Sequence, residues 1–370
     1  MTFLTVSAVI GAGFLSGREI VAFFGTESFL PFLVISFFIT AAFFGICYYS
    51  GAKESSLSAL NSRLFFFPKT LNIAVLFASF ISAAGSLAAI NSLFGQVFTR
   101  VKFPFFSVII LFFASLVSEK GIKGVEKISL ILTPLIIVIV LSLIAVKSET
   151  DFSVGKINYI SGGVKTFLYA CMNCFINLPA LVDGARGKSG AAHKTSAVLS
   201  ALIISSLAVL IAAAIKGERT ENFDAPLLFA VGKSPLFFIA LFFALLTSLF
   251  SAYYPLYSFA KERGKTAGKI ALAVATFALS LIGVKGIIDG IYPVIGAIGA
   301  VYMVKCARFA FYSRYKKNLP EHNKEKRREK MKKKRKNKVA KLSEEDYNKY
   351  IMALKDEKPP VAVRKAQKED

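Results

Sequence analysis

Two interrupted apolar stretches decide the fold of this chain: Gly11-Ala12-Gly13-Phe14-Leu15-Ser16-Gly17 and Asn173-Cys174-Phe175-Ile176-Asn177-Leu178-Pro179. Both lie in sequence that is otherwise apolar enough for a membrane, yet both carry residues that interrupt a helix. Peptide groups released from helix pairing inside a bilayer are costly unless something binds them. The paired interruptions therefore predict a site for a solute or an ion near the middle of the membrane.

The composition is that of a polytopic membrane protein. The chain has 370 residues, of which 55% are hydrophobic, and it contains 36 phenylalanines. Uncharged runs long enough to cross a hydrocarbon layer of ~30 Å recur along most of the sequence. The first stretch has no basic segment ahead of it and no cleavage pattern, so we expect it to be retained as a span. We predict ten spans, at residues 2–25, 29–51, 70–99, 103–118, 128–146, 162–183, 195–215, 234–260, 269–284 and 286–304.

The distribution of basic residues predicts the orientation of these spans. The loops after spans two, four, six and eight carry more Lys and Arg than the other loops, and the region from Arg314 to Asp370 is strongly basic. We therefore expect a plasma-membrane protein with both termini in the cytoplasm. Ten spans with both ends inside divide into two groups of five with opposite orientation, so the interrupted spans one and six occupy equivalent positions. The predicted fold is an all-α 5+5 inverted repeat with discontinuous helices 1 and 6.

The domain boundary is predicted near residue 310. Residues 1–310 are expected to form a transmembrane transporter domain, with repeat one in 1–146 and repeat two in 162–304. Residues 311–370 are expected to form a basic cytoplasmic tail, partly helical or disordered, held near anionic lipids. Because no nucleic-acid-binding motif accompanies the charge, no nucleic-acid partner is expected.

The polar residues of the spans do not predict an enzyme. No acid, base, nucleophile or metal cluster converges within a span, so no catalytic residue and no cofactor are predicted, apart from a coupling sodium ion. Cys171 and Cys174 form a Cys-x-x-Cys, for which packing between helices is the expected role and redox or metal chemistry the alternative.

The first interruption also carries a family resemblance. Gly11-Ala12-Gly13-Phe14, followed by Ser16-Gly17, Glu19-Ile20 and Phe23-Phe24, resembles the YkvI-like membrane permeases. These bacterial proteins are grouped with the amino acid-polyamine-organocation transporters of LeuT-like fold, and the resemblance covers roughly residues 1–310. It implies that amides at the break of span one hold an anionic group of the substrate while span six closes the site. The implied substrate-binding residues are Gly11, Ala12, Gly13 and Phe14, with Tyr169, Asn173 and Asn177 opposite.

An anion at such a break also has a physical reason that is independent of any family. The N-terminus of a half-helix presents unpaired N–H groups and a partial positive charge. The alternative is that the glycines only allow helices to pack closely, as small residues do in membranes.

Span eight contains Ala244-Leu245-Leu246-Thr247-Ser248, which is similar to the pattern by which sodium-coupled relatives hold their ion. The similarity implies a sodium site formed by the Ala244 carbonyl and the Thr247 and Ser248 hydroxyls, with carbonyls near Ser7 and Ile10. Such an oxygen shell suits a hard cation. Proton coupling and exchange are the alternatives, since Thr and Ser in membrane helices often bond to their own carbonyls.

Three ionisable residues, Arg18, Glu19 and Asp289, lie inside or at the edge of spans, where charges usually face a cavity or a partner. Related transporters pair such residues as an extracellular gate, which implies a pair between Arg18 and Asp289. Three roles are open for Glu19: binding a substrate amine, relaying a proton, or pairing with Lys165.

The predicted function is secondary active transport of a small organic solute, an amino acid or related amine, by alternating access coupled to sodium. The alternative is a ligand-binding membrane sensor, of the germination-receptor type, that has the same fold and completes no transport.

Overall fold

Helices begin and end where Gly, Pro and polar residues interrupt the apolar runs. A computed structural model of the chain describes residues 1–24, 30–54, 56–97, 105–147, 159–215, 226–232, 234–262, 266–283 and 287–318, and this part contains helices and no β-strand. The helices are α1 Thr2–Val9, α2 Ala12–Leu15, α3 Arg18–Phe24, α4 Leu30–Lys53, α5 Leu57–Leu64, α6 Pro68–Val97, α7 Phe105–Glu119, α8 Gly121–Lys147, α9 Tyr159–Ile176, α10 Leu178–Gly184, α11 Gly190–Ile215, α12 Pro226–Val231, α13 Pro235–Glu262, α14 Thr266–Ser280, a π-helical turn Ile287–Ile291 and α15 Tyr292–Asn318.

The membrane-spanning helices follow the predicted order. Within the described ranges, six helices are long and apolar enough to cross a membrane: Pro31–Lys53, Pro68–Gly95, Gly121–Val146, Gly190–Ile215, Pro235–Glu262 and Tyr292–Tyr315. A further span consists of α9 and α10, which are bent by 62° at the break between them. The shorter helices α7 and α14 and the broken segment α1 to α3 take the remaining predicted positions.

The surface of the helical body is apolar, which is the reverse of a water-soluble protein. Phe38, Phe112 and Val138 are exposed by 67%, 62% and 60%, respectively, while many hydroxyl and amide side chains are buried. Lipid tails solvate apolar side chains but offer no hydrogen bonds, so polar groups turn inward. The structure is therefore that of a multi-pass membrane protein, as predicted.

Two details of the spans differ from the sequence prediction. The first span has two breaks rather than one, because Gly17 adopts a φ of 82° and ends α2. The last span was predicted to end at residue 304, but α15 continues to Asn318. Its first charged residue, Lys305, does not end the helix, because long basic side chains near a membrane surface reach the polar headgroups.

Two short helices were also missed. They are α5, in the loop after the second span, and α12, in the loop after the seventh. Residues Met1–Ala310 form one compact unit. Most of the predicted basic tail, residues 319–370, lies outside the described residues, so the expected lipid contact of the tail stays a prediction.

Glycines bring the backbones of the bent span and of α15 into direct contact. A Cβ at Gly299 would lie 2.6 Å from the carbonyl oxygen of Cys171, and one at Gly296 would lie 2.9 Å from that of Leu168. No real side chain tolerates such distances, so only glycine allows α15 to lie this close to α9. Small residues serve this purpose in membrane proteins because they let helix backbones approach.

The ends of α7, α13 and α14 are tied together by a charged cluster. The Glu119 carboxylate accepts hydrogen bonds from Lys261 Nζ at 2.6 Å and from Lys269 Nζ at 2.8 Å. The Tyr257 hydroxyl donates to the same carboxylate. Single exposed ion pairs stabilise little, but a network on one acceptor holds several helix ends in a common position.

The contact between α15 and α9 predicts that Gly299→Ala lowers the apparent unfolding temperature of the detergent-solubilised protein. The added methyl group overpacks the interface, which typically costs about 1–3 kcal/mol. Gly163→Ala in α9 is the matched control, because no atom lies within 4 Å of a Cβ at that position. Equal unfolding temperatures for the two variants would contradict the close contact.

Candidate functional site

The first break is an inverse γ-turn centred on Ile10. Ile10 has φ −73° and ψ 67°, and the Gly11 amide donates to the Val9 carbonyl at 2.7 Å. In a continuous helix this amide would donate to the Ser7 carbonyl instead. The turn therefore leaves the Ser7 carbonyl without the Gly11 amide as a hydrogen-bond donor, at a fully buried position.

The second break, at Ser16 and Gly17, is supported by the loop helix α12. The Ser16 carbonyl accepts a hydrogen bond from the Leu227 amide at 2.8 Å, and the Ser16 hydroxyl donates to the Gly13 carbonyl at 3.2 Å. Because α12 supplies a donor, this carbonyl is paired without water. The break is thus part of the packed structure rather than a frayed helix end.

The break in the sixth span is supported by two asparagines. Asn173 Nδ2 donates to the Tyr169 carbonyl at 3.1 Å, and Asn177 Nδ2 donates to the Asn173 carbonyl at 2.9 Å. These are additional bonds to carbonyls of α9, because the Asn173 carbonyl also accepts the backbone amide of Asn177 at 3.4 Å, next to the 62° bend. Both side chains, which were predicted to bind substrate, are buried and donate within their own span.

The two broken spans face each other across an aromatic contact. The ring of Tyr169 lies edge-on to those of Phe23 and Phe24, with centroid distances of 5.3 Å and 5.4 Å. In addition, α3 packs on α9 and α1 packs on α10. The structure thus brings Tyr169 next to α3 of the first span, and its role in binding a substrate stays a prediction.

The predicted sodium ligands lie where the first break meets α13. A Cβ at Gly11 would lie 2.6 Å from Ser248 Oγ, and Ser86 of α6 donates to the same oxygen at 3.3 Å. The Thr247 hydroxyl donates to the Ala244 carbonyl at 3.0 Å, within its own helix. Ion binding at Ile10, Ala244, Thr247 and Ser248 stays a prediction, because close approach of α1 and α13 does not itself demonstrate a bound ion.

Ser7, the remaining predicted sodium ligand, directs its hydroxyl away from α13. It donates to Ser129 Oγ of α8 at 2.7 Å and to the Leu4 carbonyl at 2.9 Å. The predicted sodium ligand at Ser7 was its backbone carbonyl. Because of the γ-turn, this carbonyl does not accept a hydrogen bond from the Gly11 amide.

The predicted gate residues lie on neighbouring elements. Arg18 is buried at the start of α3, and α3 contacts the π-helical turn that contains Asp289. The side chain of Asp289 lies outside the described part of the chain, so the charge pair stays a prediction. The pair between Glu19 and Lys165 does not form, since Lys165 is exposed while Glu19 is buried.

Glu19 lies over the turn that was predicted to bind a substrate carboxylate. A Cβ at Gly13 would collide with the Oε1, Cγ and Cδ atoms of Glu19. The carboxylate is 5% exposed, and its Oε2 atom has no hydrogen-bond partner among the described residues. The glycine at position 13 is therefore needed to accommodate a buried acidic side chain.

Polar contacts that the sequence analysis missed hold the inner piece α1 on three sides. They join α1 to α8, α11 and α4 through Ser7 and Ser129, Thr133 and the Phe3 carbonyl, Thr2 and Ser196, and Thr5 and Tyr48. Single hydroxyl groups are too common in membrane helices for their partners to be read from sequence.

On α6, the helical spacing of Ser82 and Ser86 could have indicated a polar face, and Gly85 on that face approaches Tyr292.

The broken spans and their order define a class of protein: the chain has the LeuT-like transporter fold. It is similar to a nucleobase-cation-symport-1 family transporter in a closed conformation with bromovinylhydantoin bound, with 12% identity over 80% of this chain and 73% of that chain and a TM-score of 0.59. It is also similar to MhsT in complex with L-phenylalanine, with 14% identity over 82% of this chain and 86% of that chain and a TM-score of 0.54. No family model and no curated protein matches the sequence, so membership of the YkvI-like permeases stays a prediction.

The contact between the first break and α13 predicts non-additive stability effects. Gly11→Ala alone should lower the apparent unfolding temperature, because the new methyl group meets Ser248 Oγ at 2.6 Å. In the double variant Gly11→Ala with Ser248→Ala, removal of that oxygen should recover part of the loss. Strictly additive shifts, measured in a double-mutant cycle in detergent, would show that the two residues do not meet.

Proposed function

We propose that this protein is a secondary active transporter of a small organic solute, an amino acid or a related amine, working by alternating access. One observation carries the proposal: two broken spans contact each other through Phe23 and Tyr169, and the buried Glu19 lies at this contact. The two similar structures have a hydantoin and an amino acid bound, both nitrogen-containing small molecules. The shared fold supports a solute site between the broken spans, where released peptide groups find partners.

Sodium is the proposed coupling ion. The approach of Gly11 to Ser248 supports it, because that approach brings the Ile10 turn to the Ser248 hydroxyl, next to Thr247 and one helical turn from Ala244. A sodium ion between the two helices would hold them together and release them on leaving. Solute binding and ion binding would then stabilise the same arrangement of α1 and α13, which is the basis of coupling.

Alternating access requires α1 to leave its present contacts. These contacts comprise apolar packing against α8, α11 and α13, an ion pair between the Met1 ammonium and Glu126 at 2.9 Å, and hydrogen bonds made by single hydroxyls, each of which contributes about 1 kcal/mol. The breaks at Ile10 and Gly17 separate α1 from α2 and α3, so α1 can swing without unwinding the rest of the span. We place the protein in the plasma membrane with both termini in the cytoplasm and the basic tail near anionic lipids.

Uptake into proteoliposomes tests the function. An inward sodium gradient should drive accumulation of a radiolabelled amino acid or amine above its external concentration, and a sodium ionophore should abolish the accumulation. Uptake that a proton gradient drives equally well would replace sodium by proton coupling. Binding of the solute with no flux under any gradient would identify a sensor and reject transport.

The sodium site has its own test in the double variant Thr247→Ala with Ser248→Ala. Loss of two of the proposed oxygen ligands should abolish the dependence of solute affinity on sodium concentration, measured by equilibrium binding. Ser142→Ala with Ser62→Ala is a matched control, since both are exposed hydroxyls that donate to their own helices. Unchanged sodium dependence in the Thr247 and Ser248 variant would remove the site from these residues.

A further inference from the structure

The buried side chain of Glu19 brings an acidic group into the candidate site. Its side chain folds back from α3 over Gly13, and its Oε2 atom is left without a hydrogen-bond donor among the described residues. A carboxylate removed from water is strongly disfavoured unless a positive group or several donors compensate it. Oε2 is therefore an acceptor that a donor from outside the described residues can use.

The surroundings of Glu19 are aromatic. Phe23 lies one helical turn further along α3, and its ring contacts that of Tyr169. Tyr169 lies at the contact between α3 and α9, and Tyr292 directly follows the π-helical turn that packs on α3. Aromatic faces attract cations, and the attraction grows when the cation is removed from water. A carboxylate within a set of aromatic rings is thus suited to an ammonium group.

An anionic group of the substrate would fit poorly at the same place. The amides of the Gly11 to Phe14 turn were expected to hold a substrate carboxylate, but Glu19 already brings a negative group to Gly13. Two carboxylates at this distance repel each other, and the repulsion is little screened in a buried site. The turn therefore already carries the protein's own acid, which favours a positive rather than a negative group of the substrate beside it.

We propose that Glu19 is the counter-ion of a substrate ammonium group, so that the site accepts amines and amino acids and rejects carboxylic acids without an amine. This assignment rests on the proposed transport function. It makes Glu19 a determinant of specificity that contacts the substrate, with Phe23, Tyr169 and Tyr292 around the bound cation. With glycine at position 13, the Glu19 side chain can lie in this position without a shift.

Matched compounds test the assignment on the full-length protein in detergent. Each triplet consists of an amino acid, the amine that lacks its carboxylate and the acid that lacks its amine: alanine, ethylamine and propionate; leucine, isopentylamine and 4-methylvalerate; phenylalanine, phenethylamine and 3-phenylpropionate. Binding is measured by competition or calorimetry in the presence of sodium. We expect binding by ammonium-bearing members of at least one triplet and none by the acids.

The variant Glu19→Gln should weaken ammonium binding by about tenfold or more, since it removes a charge-assisted contact. Glu19→Asp keeps the charge and should retain part of the affinity, which separates loss of charge from loss of folding. Glu262→Gln is the control, because Glu262 is an exposed acid at the end of α13.

Three results would overturn the assignment: binding by the acids at the affinity of the amines, unchanged ammonium affinity in a folded Glu19→Gln variant, or no binding by any ammonium compound. A Glu19→Gln variant that loses only its response to a pH gradient would make Glu19 a proton carrier and also overturn it. Gradient-driven flux of the acids would reject the ammonium site while leaving the transport function intact. Absence of flux for every compound, despite binding, would instead reject transport.

Discussion

A peptide group that loses its helical partner inside a bilayer has no water to replace it, and this constraint shapes the centre of the molecule. At the first break the Gly11 amide finds the Val9 carbonyl through a γ-turn, and the Ser16 carbonyl finds the Leu227 amide of a loop helix. At the sixth span the side chains of Asn173 and Asn177 add hydrogen bonds to carbonyls of α9 just before the bend. The first broken helix is thus stabilised by specific partners, and Glu19 on α3 brings a buried acidic group to the same region.

The positions of the breaks could be predicted from the sequence because Gly and Pro interrupt a helix through their own backbone geometry. Gly17 needs only its own φ of 82° to end a helix, and the residues around Asn177 and Pro179 interrupt one equally directly. The all-α class and the order of spans followed from hydropathy in the same way. The C-terminal end of α15 could not be predicted from the sequence. Whether Lys305 ends a span depends on how near the helix lies to the headgroups, which is a tertiary property.

The candidate site could be predicted only in part. Its location followed from the paired breaks, and the proximity of Tyr169 to the first span agrees with the expected arrangement. The position of Glu19 over Gly13 did not follow, because it depends on the direction in which α3 leaves the second break. For the same reason the sequence left three roles open for Glu19, whereas burial beside aromatic rings favours one of them. Loop helix α12 was missed since its six residues carry no periodic pattern long enough to detect.

The glycine contacts between α15 and α9 bear on how a broken helix moves. Helices that meet through interlocking side chains resist sliding, because each ridge must climb out of its groove. At Gly296 and Gly299 the α15 surface is backbone alone, resting on the carbonyls of Leu168 and Cys171, and it offers no ridge at those points. At these two points, therefore, the contact between α9 and α15 opposes sliding less than interlocked side chains would.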